Sequence, residues 1–321
     1  MTRGRLSLVA VLAVTAAAVL AVRIARSEAP EEPATAGPSE LTLVVLHTES
    51  GPLTAVVGAG GSAAPAGLVV PARVDLTIPG QGDGTMGDAA ALPGRQAATA
   101  AANLLGVWIP HHVTLGGAEL AAVVDRAGGI DVGGTRLSGA DVVASVSSSE
   151  EPSEAVWEPT LEAILAAATW EPKDVRDADS PTAVAELLNA ARDASVEVLP
   201  AEEVPGGILR ADPQAIRAVV AQAFGVADRE ILPAIVLNGS GEPGIGERVA
   251  ERLIPGGFRV VVSENASSFD HDTTLVVVPS EEQRPLGERV RDLLGVGEVQ
   301  VAGPASGLAD VTIVVGKDFG A

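Results

Sequence analysis

The sequence predicts an α/β fold: a mixed sheet flanked by helices, then a small α+β unit in a βαββαββ-like order, all behind a single amino-terminal transmembrane helix. Three observations predict it. Short β-rich runs alternate with stretches of helical composition from Leu41 to Phe224, which implies a sheet covered by helices. From Pro233 onward the alternation tightens, and three of the four phenylalanines (Phe258, Phe269, Phe319) lie there. Residues 6–22 carry no charge and are bracketed by Arg3 and Arg5 on one side and Arg23 and Arg26 on the other.

At ~1.5 Å per helical residue that uncharged run nearly matches a ~30 Å hydrocarbon core, and its arginines reach the interfaces. The expectation is an uncleaved signal anchor; a cleaved signal peptide is the alternative. Residues 1–26 hold four arginines and no acid, so from a net charge of −21 everything after them carries −25. Positive charge before the span predicts a cytoplasmic amino terminus and an extracytoplasmic body at the cell membrane. Residues 27–39, rich in Pro, Glu and Ala, read as a solvated linker.

In the body, residues 41–46 and 53–57 read as a hairpin, followed by strands over 67–71 and 74–78 and a Gly-rich turn over 79–84. A helix is predicted over 94–105 with Gly106 as its stop, then a strand near Val113, a helix over 118–127 and a strand over 130–132. Helices are expected over 161–169 and 181–192, a strand over 196–199, and a helix over 213–224 with Asp212 as cap and Pro213 at its first position. Residues 147–154 read as a solvated acidic loop. The expected domains are 40–225 and 234–321, joined by a linker over 226–233. In the second, strands are predicted over 234–238, 258–263, 274–279, 299–301 and 311–315, with helices over 244–253 and 281–294.

Composition excludes several functions. With no cysteine there is no disulfide scaffold, thiolate zinc site or cysteine nucleophile. Forty-two acidic against 21 basic side chains repel a phosphate backbone, and 2% aromatics leave little to stack on bases, so nucleic acid is not an expected partner. Gly58, Gly60 and Ala63 fit a dinucleotide fingerprint, but Pro65 and a β-rich run follow where a helix should begin. His111 and His112 are adjacent on an extended segment and so point to opposite faces, one buried and one exposed. No metal site is expected from these with His47 and His271.

Asn238-Gly239-Ser240-Gly241 ends a strand, and Gly244 opens a helix whose amides point back at the loop. With Asn265, these residues are the candidate binding residues. The loop reads either as an anion- or glycan-binding turn or as a tight strand-to-helix connection capped by an asparagine.

The VLNGSG turn, the strand opened by Gly257-Phe258, the Asn265-Ala266 pair and the closing DVTIVVGKDF together resemble the carboxy-terminal domain of LytR-type cell-wall proteins of actinobacteria, from Ile235 to Phe319. Upstream, Ile78-Pro79-Gly80, Leu104-Leu105-Gly106 and the segment from Asp125 to Val132 ending in GGIDV resemble the LytR-CpsA-Psr phosphotransferase domain over 40–225. The resemblance implies transfer of a glycopolymer phosphate from a polyprenyl-pyrophosphate carrier to peptidoglycan, with acidic side chains on magnesium and arginines on the pyrophosphate.

The chain departs from that pattern where the chemistry sits. Leu41 stands at an aspartate position, Ala72 at an arginine position and Arg73 at an aspartate position, and the segment 138–165, arginine-rich in the family, has no arginine and five glutamates. A pyrophosphate needs charge-assisted contacts of ~1.5 to 3 kcal/mol each and a hard divalent ion. The expectation is therefore a non-catalytic relative without a cofactor, which binds or scaffolds wall glycopolymer, peptidoglycan or other envelope proteins. The alternative is an active phosphotransferase that holds magnesium through relocated ligands, with Asp75, Arg95 and Gln96 as substitutes.

Overall fold

Two long strands start the fold. β1 (Glu40–Thr48) and β2 (Gly51–Ala59) pair antiparallel from Glu40 opposite Ala59 to Thr48 opposite Gly51, the predicted hairpin with Glu49 and Ser50 at its tip. Both are buried along most of their length, which suits central strands covered on both faces. The computed structural model describes residues 40–60, 64–148, 153–227, 229–302 and 307–320, all within one compact unit. The expected transmembrane run and the linker 27–39 lie outside the described residues. Among the described residues no helix is long and apolar enough to cross a membrane.

In chain order there follow β3 (Ala66–Val70), the hairpin β4 (Asp75–Ile78) and β5 (Gly82–Thr85), α1 (Met86–Ala90), α2 (Gly94–Leu105), β6 (His111–Gly116) and α3 (Gly117–Arg126). Next come the hairpin β7 (Ile130–Val132) and β8 (Thr135–Leu137), α4 (Gly139–Val146), α5 (Ser153–Ala167), β9 (Asp177–Ala178), α6 (Pro181–Ala190), β10 (Ser195–Val198), the hairpin β11 (Glu202–Val204) and β12 (Ile208–Arg210), and α7 (Pro213–Phe224). The main sheet runs β10-β3-β2-β1-β6-β9 and is mixed: β1 lies parallel to β6, β3 parallel to β10, and the remaining pairs are antiparallel.

The carboxy-terminal part holds β13 (Leu232–Asn238), α8 (Ile245–Leu253), β14 (Phe258–Asn265), β15 (Leu275–Val278), α9 (Arg284–Leu294), β16 (Glu298–Val301) and β17 (Val311–Val315). Its sheet runs β14-β13-β17-β15-β16, parallel except for β15 against β17.

Most elements fall where the sequence places them, and the exceptions have physical reasons. α4 starts at a capping box in which Ser138 Oγ accepts from the Asp141 amide while the Asp141 carboxylate accepts from the Ser138 amide. α5 begins at Ser153, well before the expected start, and continues across Pro159. Buried Trp157, Leu161, Ile164 and Leu165 recur at helical spacing against the sheet, and this packing outweighs the missing proline amide. The Gly-rich segment after Ile78 turns at residues 79–81 as expected, but its second half, Gly82–Thr85, is the strand β5 paired to β4.

The sheet has a filled face on each side. α3, α4, α5 and α6 cover one with Leu120, Trp157, Ile164 and Leu188. On the other, one apolar cluster joins Leu43 and Val56 of the main sheet, α2 and α7, to Val236, Phe258 and Ile313 of the second sheet. Burying such a Leu, Ile or Phe contributes ~1.5 to 3 kcal/mol, so this cluster holds both sheets in one unit. α2 lies between them: Ala97, Ala98, Ala100, Ala101 and Ala102 are all fully buried, and the helix touches β1 and β6 on one side and α8 and β14 on the other. Alanine allows that close approach from two sides.

Polar contacts fix the seam. Asn103, 2% exposed, donates from Nδ2 to the carbonyls of Thr77 (3.1 Å) and Val260 (2.8 Å) and accepts from the Val260 amide (2.8 Å). Arg259 donates to the Leu104 carbonyl at 2.6 Å, and the Gly80 amide donates to Ser263 Oγ at 2.7 Å. Gly246 is required by this approach, because a Cβ there would stand 2.8 Å from Gly80 Cα.

Candidate functional site

The positions at which a phosphotransferase would keep its charges are scattered among separate internal partners. Leu41 is 3% exposed and packs toward Phe224 and Gly58 in the core. Ala72 lies in the turn after β3, and beside it the exposed Arg73 donates to the Gly207 carbonyl at 2.8 Å, with Glu203 3.9 Å away. Asp75, on β4, accepts from Arg210 Nε of β12 at 2.9 Å. Arg95, on the first turn of α2, donates to the carbonyls of Ile109 and Pro110 and to Asp179 Oδ2 (3.1 Å), and lies 5.7 Å over the Trp108 ring. Gln96 hydrogen-bonds Glu247 of α8. Burial, helped by the nearby Glu251 charge, pushes the Glu247 carboxyl above its ordinary value in spite of that bond.

His111 and His112 differ from the expected one-in, one-out arrangement. Their side chains are 18% and 14% exposed, and both turn to Asp179, at 3.4 and 3.7 Å. The loop between β9 and α6 brings that carboxylate against the start of β6, where it also accepts from the His112 amide at 3.1 Å. Burial pushes the His112 imidazole below its usual pKa, opposed by the Asp179 charge. Burial alone would raise Asp179, but the His112 amide and the two imidazoles outweigh it and hold the carboxyl low.

Among the described residues no group of three or more His, Asp or Glu side chains stands together, and Leu41 and Arg73 occupy the positions at which the phosphotransferase pattern places carboxylates, so those two positions offer no magnesium ligand. An apolar groove of about 620 Å³ between α3, α4 and the end of β1 carries His47 and Glu49 on its rim and no arginine in its walls.

The candidate binding residues are placed differently. Asn238, Gly244 and Asn265 line a polar cleft of about 510 Å³ at the seam, whose opposite wall is the β4–β5 turn with Gln81 and Asp83. Gly239, Ser240 and Gly241 stand beside the cleft and shape its loop. Asn238 Oδ1 accepts from the Gly241 amide (2.9 Å) and Ser240 Oγ (3.1 Å), and Nδ2 donates to the Glu242 carbonyl (3.0 Å). Asn238 therefore does cap the connection, and the same residue lines a cavity. Sequence reasoning missed Gln81, Asp83 and Glu264. The available signal was the glycine-rich turn over 79–84, which places its flanking side chains at the surface.

The chain can be compared with known proteins on this basis. Residues 233–319 match the LytR_C family model, described as LytR cell envelope-related transcriptional attenuator. No curated protein matches the chain. Among solved structures it is similar to a LytR-Csp2A-Psr enzyme from Actinomyces oris (18% identity, 60% of this chain and 91% of that one, TM-score 0.48). It is also similar to Bacillus subtilis TagT (14% identity, 61% and 94%, TM-score 0.48) and to TagT with bound octaprenyl pyrophosphate lipid (16% identity, 61% and 95%, TM-score 0.46). The chain thus carries a LytR_C match over residues 233–319, its carboxy-terminal part.

Proposed function

We propose that this chain is a membrane-anchored, non-catalytic protein of the cell envelope whose extracytoplasmic body binds or scaffolds wall glycopolymer, peptidoglycan or the proteins that assemble them. The LytR_C match supports the envelope role. The uncharged run over 6–22, with its arginines before and an acidic chain after, supports an anchor with a cytoplasmic amino terminus.

One observation carries the non-catalytic reading. Asp75, Arg95 and Gln96, the side chains available to replace the missing phosphotransfer ligands, engage Arg210, Asp179 and Glu247 respectively, three separate partners on three different elements. Diphosphate chemistry needs cations and acids converging on one point.

The test uses the full-length chain in mild detergent. Sedimentation with purified cell wall should retain it, while magnesium and a polyprenyl-pyrophosphate analogue should give no phosphate release or transfer. Turnover that disappears in Asp75→Ala would establish the alternative, a working phosphotransferase with relocated ligands.

A further inference from the structure

The polar cleft does not end at the seam. It shares Asp83 with a second depression of about 650 Å³ on the outer side of the β4–β5 hairpin, which in turn shares Arg210, Ala211 and Pro213 with a third of about 630 Å³ beside β11 and the start of α7. Three depressions with common walls make a track across the molecule rather than a closed hole. A track suits a ligand that is long and repetitive.

The walls define its chemistry. Five carboxylates (Asp75, Asp83, Glu202, Asp212, Glu264) face one guanidinium, Arg210, which is already paired with Asp75. A phosphate-bearing polymer entering this field is repelled at every step, and the molecule's net charge of −21 adds to the barrier. Gln81 and Asn265 each offer a donor and an acceptor on one planar amide, which matches neighbouring hydroxyls, while the Asn238 amide is engaged within its own loop and shapes the wall. Carboxylates accept from hydroxyls without requiring a cation. Beside the cleft, Phe269 packs over Gly241 and leaves 48% of its surface exposed, giving a flat face for the C–H side of a pyranose ring.

We infer that this track binds an extended, uncharged oligosaccharide strand. The inference rests on the wall-binding reading above and names the ligand class and the residues for it: the strand would lie along the β4–β5 hairpin, its hydroxyls held by Gln81, Asn265 and the carboxylates.

The experiment titrates the full-length chain in detergent with β-1,4-linked N-acetylglucosamine oligomers of two to six sugars, by calorimetry. Affinity should rise at least about tenfold, or about 1.4 kcal/mol, from dimer to hexamer as successive depressions fill. Gln81 and Asn265 are both exposed, so Gln81→Ala and Asn265→Ala, which remove the amides and add no aromatic face, should each weaken hexamer binding at least about tenfold with the melting temperature unchanged. No hexamer binding, affinity independent of length, alanine variants that bind like the parent, or preference for a glycerol-phosphate oligomer or for hexalysine would each overturn the inference. Retention of parent and variants alike on cell wall would remove the track and leave the proposed function standing. Failure of the parent to be retained would remove the wall-binding reading on which the inference rests.

Discussion

The corner around Asp179 and the track along the β4–β5 hairpin are both built from polar and charged side chains and use them in opposite ways. At the corner, Arg95, the His111 ring and the His112 main-chain amide all bond the Asp179 carboxylate, and Arg95 also bonds main-chain carbonyls, so these groups are used in holding α2, β6 and the loop before α6 together. Along the track, Gln81, Asp83, Glu264 and Asn265 keep their polar ends at the surface. Counting charged residues near a motif therefore says little about ligands. What matters is whether the fold has already given each group a partner, because a buried polar group needs one in any case.

The largest expected effect restores an acid where the phosphotransfer pattern wants one. Leu41→Asp places a carboxylate in the core against Phe224 and should cost about 4 kcal/mol or more in chemical unfolding, without gain of transfer activity. A stable variant that turns over substrate would erase the contrast between the two regions. Next is the seam: Asn103→Ala strands a buried amide and two carbonyls and should cost about 3 kcal/mol in a single unfolding transition. Two separate transitions would show that the halves are independent.

A smaller effect is expected at Arg126, which donates from both guanidinium nitrogens to the nearly buried Asp174. Burial would raise the Asp174 carboxyl, but the Arg126 bonds and the Glu171 amide outweigh it, so its folded pKa is depressed. A depressed acid contributes stability above its unfolded value of about 3.9 and loses it as pH falls through the folded value. Arg126→Ala should therefore cost about 1 to 2 kcal/mol near neutrality, and the gap to the parent should close in melts taken at progressively lower pH below about 4. Smallest is Arg210→Ala, which breaks a surface pair with Asp75 and should change stability by less than about 1 kcal/mol.

The sequence made α2 and α7 legible to the residue, because Gly106 and Gly225 stop them with left-handed caps and Asp212 with Pro213 opens the second. β17 was equally plain, an unbroken β-branched run between turn residues. The full reach of α5 was not, since Pro159 is a local signal against helix and the Trp157 and Ile164 packing that overrides it is non-local. At the candidate site, the loop from Asn238 to Gly244 was readable because asparagine and glycine advertise unusual backbone. Its opposite wall was not, because Gln81 and Asp83 meet it only through a pairing of segments some 160 residues apart in the chain, fixed by Asn103 and Ser263. The paired histidines misled for a related reason: alternation on a strand predicts direction, and the carboxylate that gathers both arrives from a distant loop.

The alanine helix has one more consequence. A rod surrounded by neighbours has no wet side along which to slide, so the two sheets it separates cannot swing apart as hinged bodies without leaving α2 half bare in water. The walls of the seam cleft are therefore set when the chain folds, and a ligand would meet a gap of fixed width.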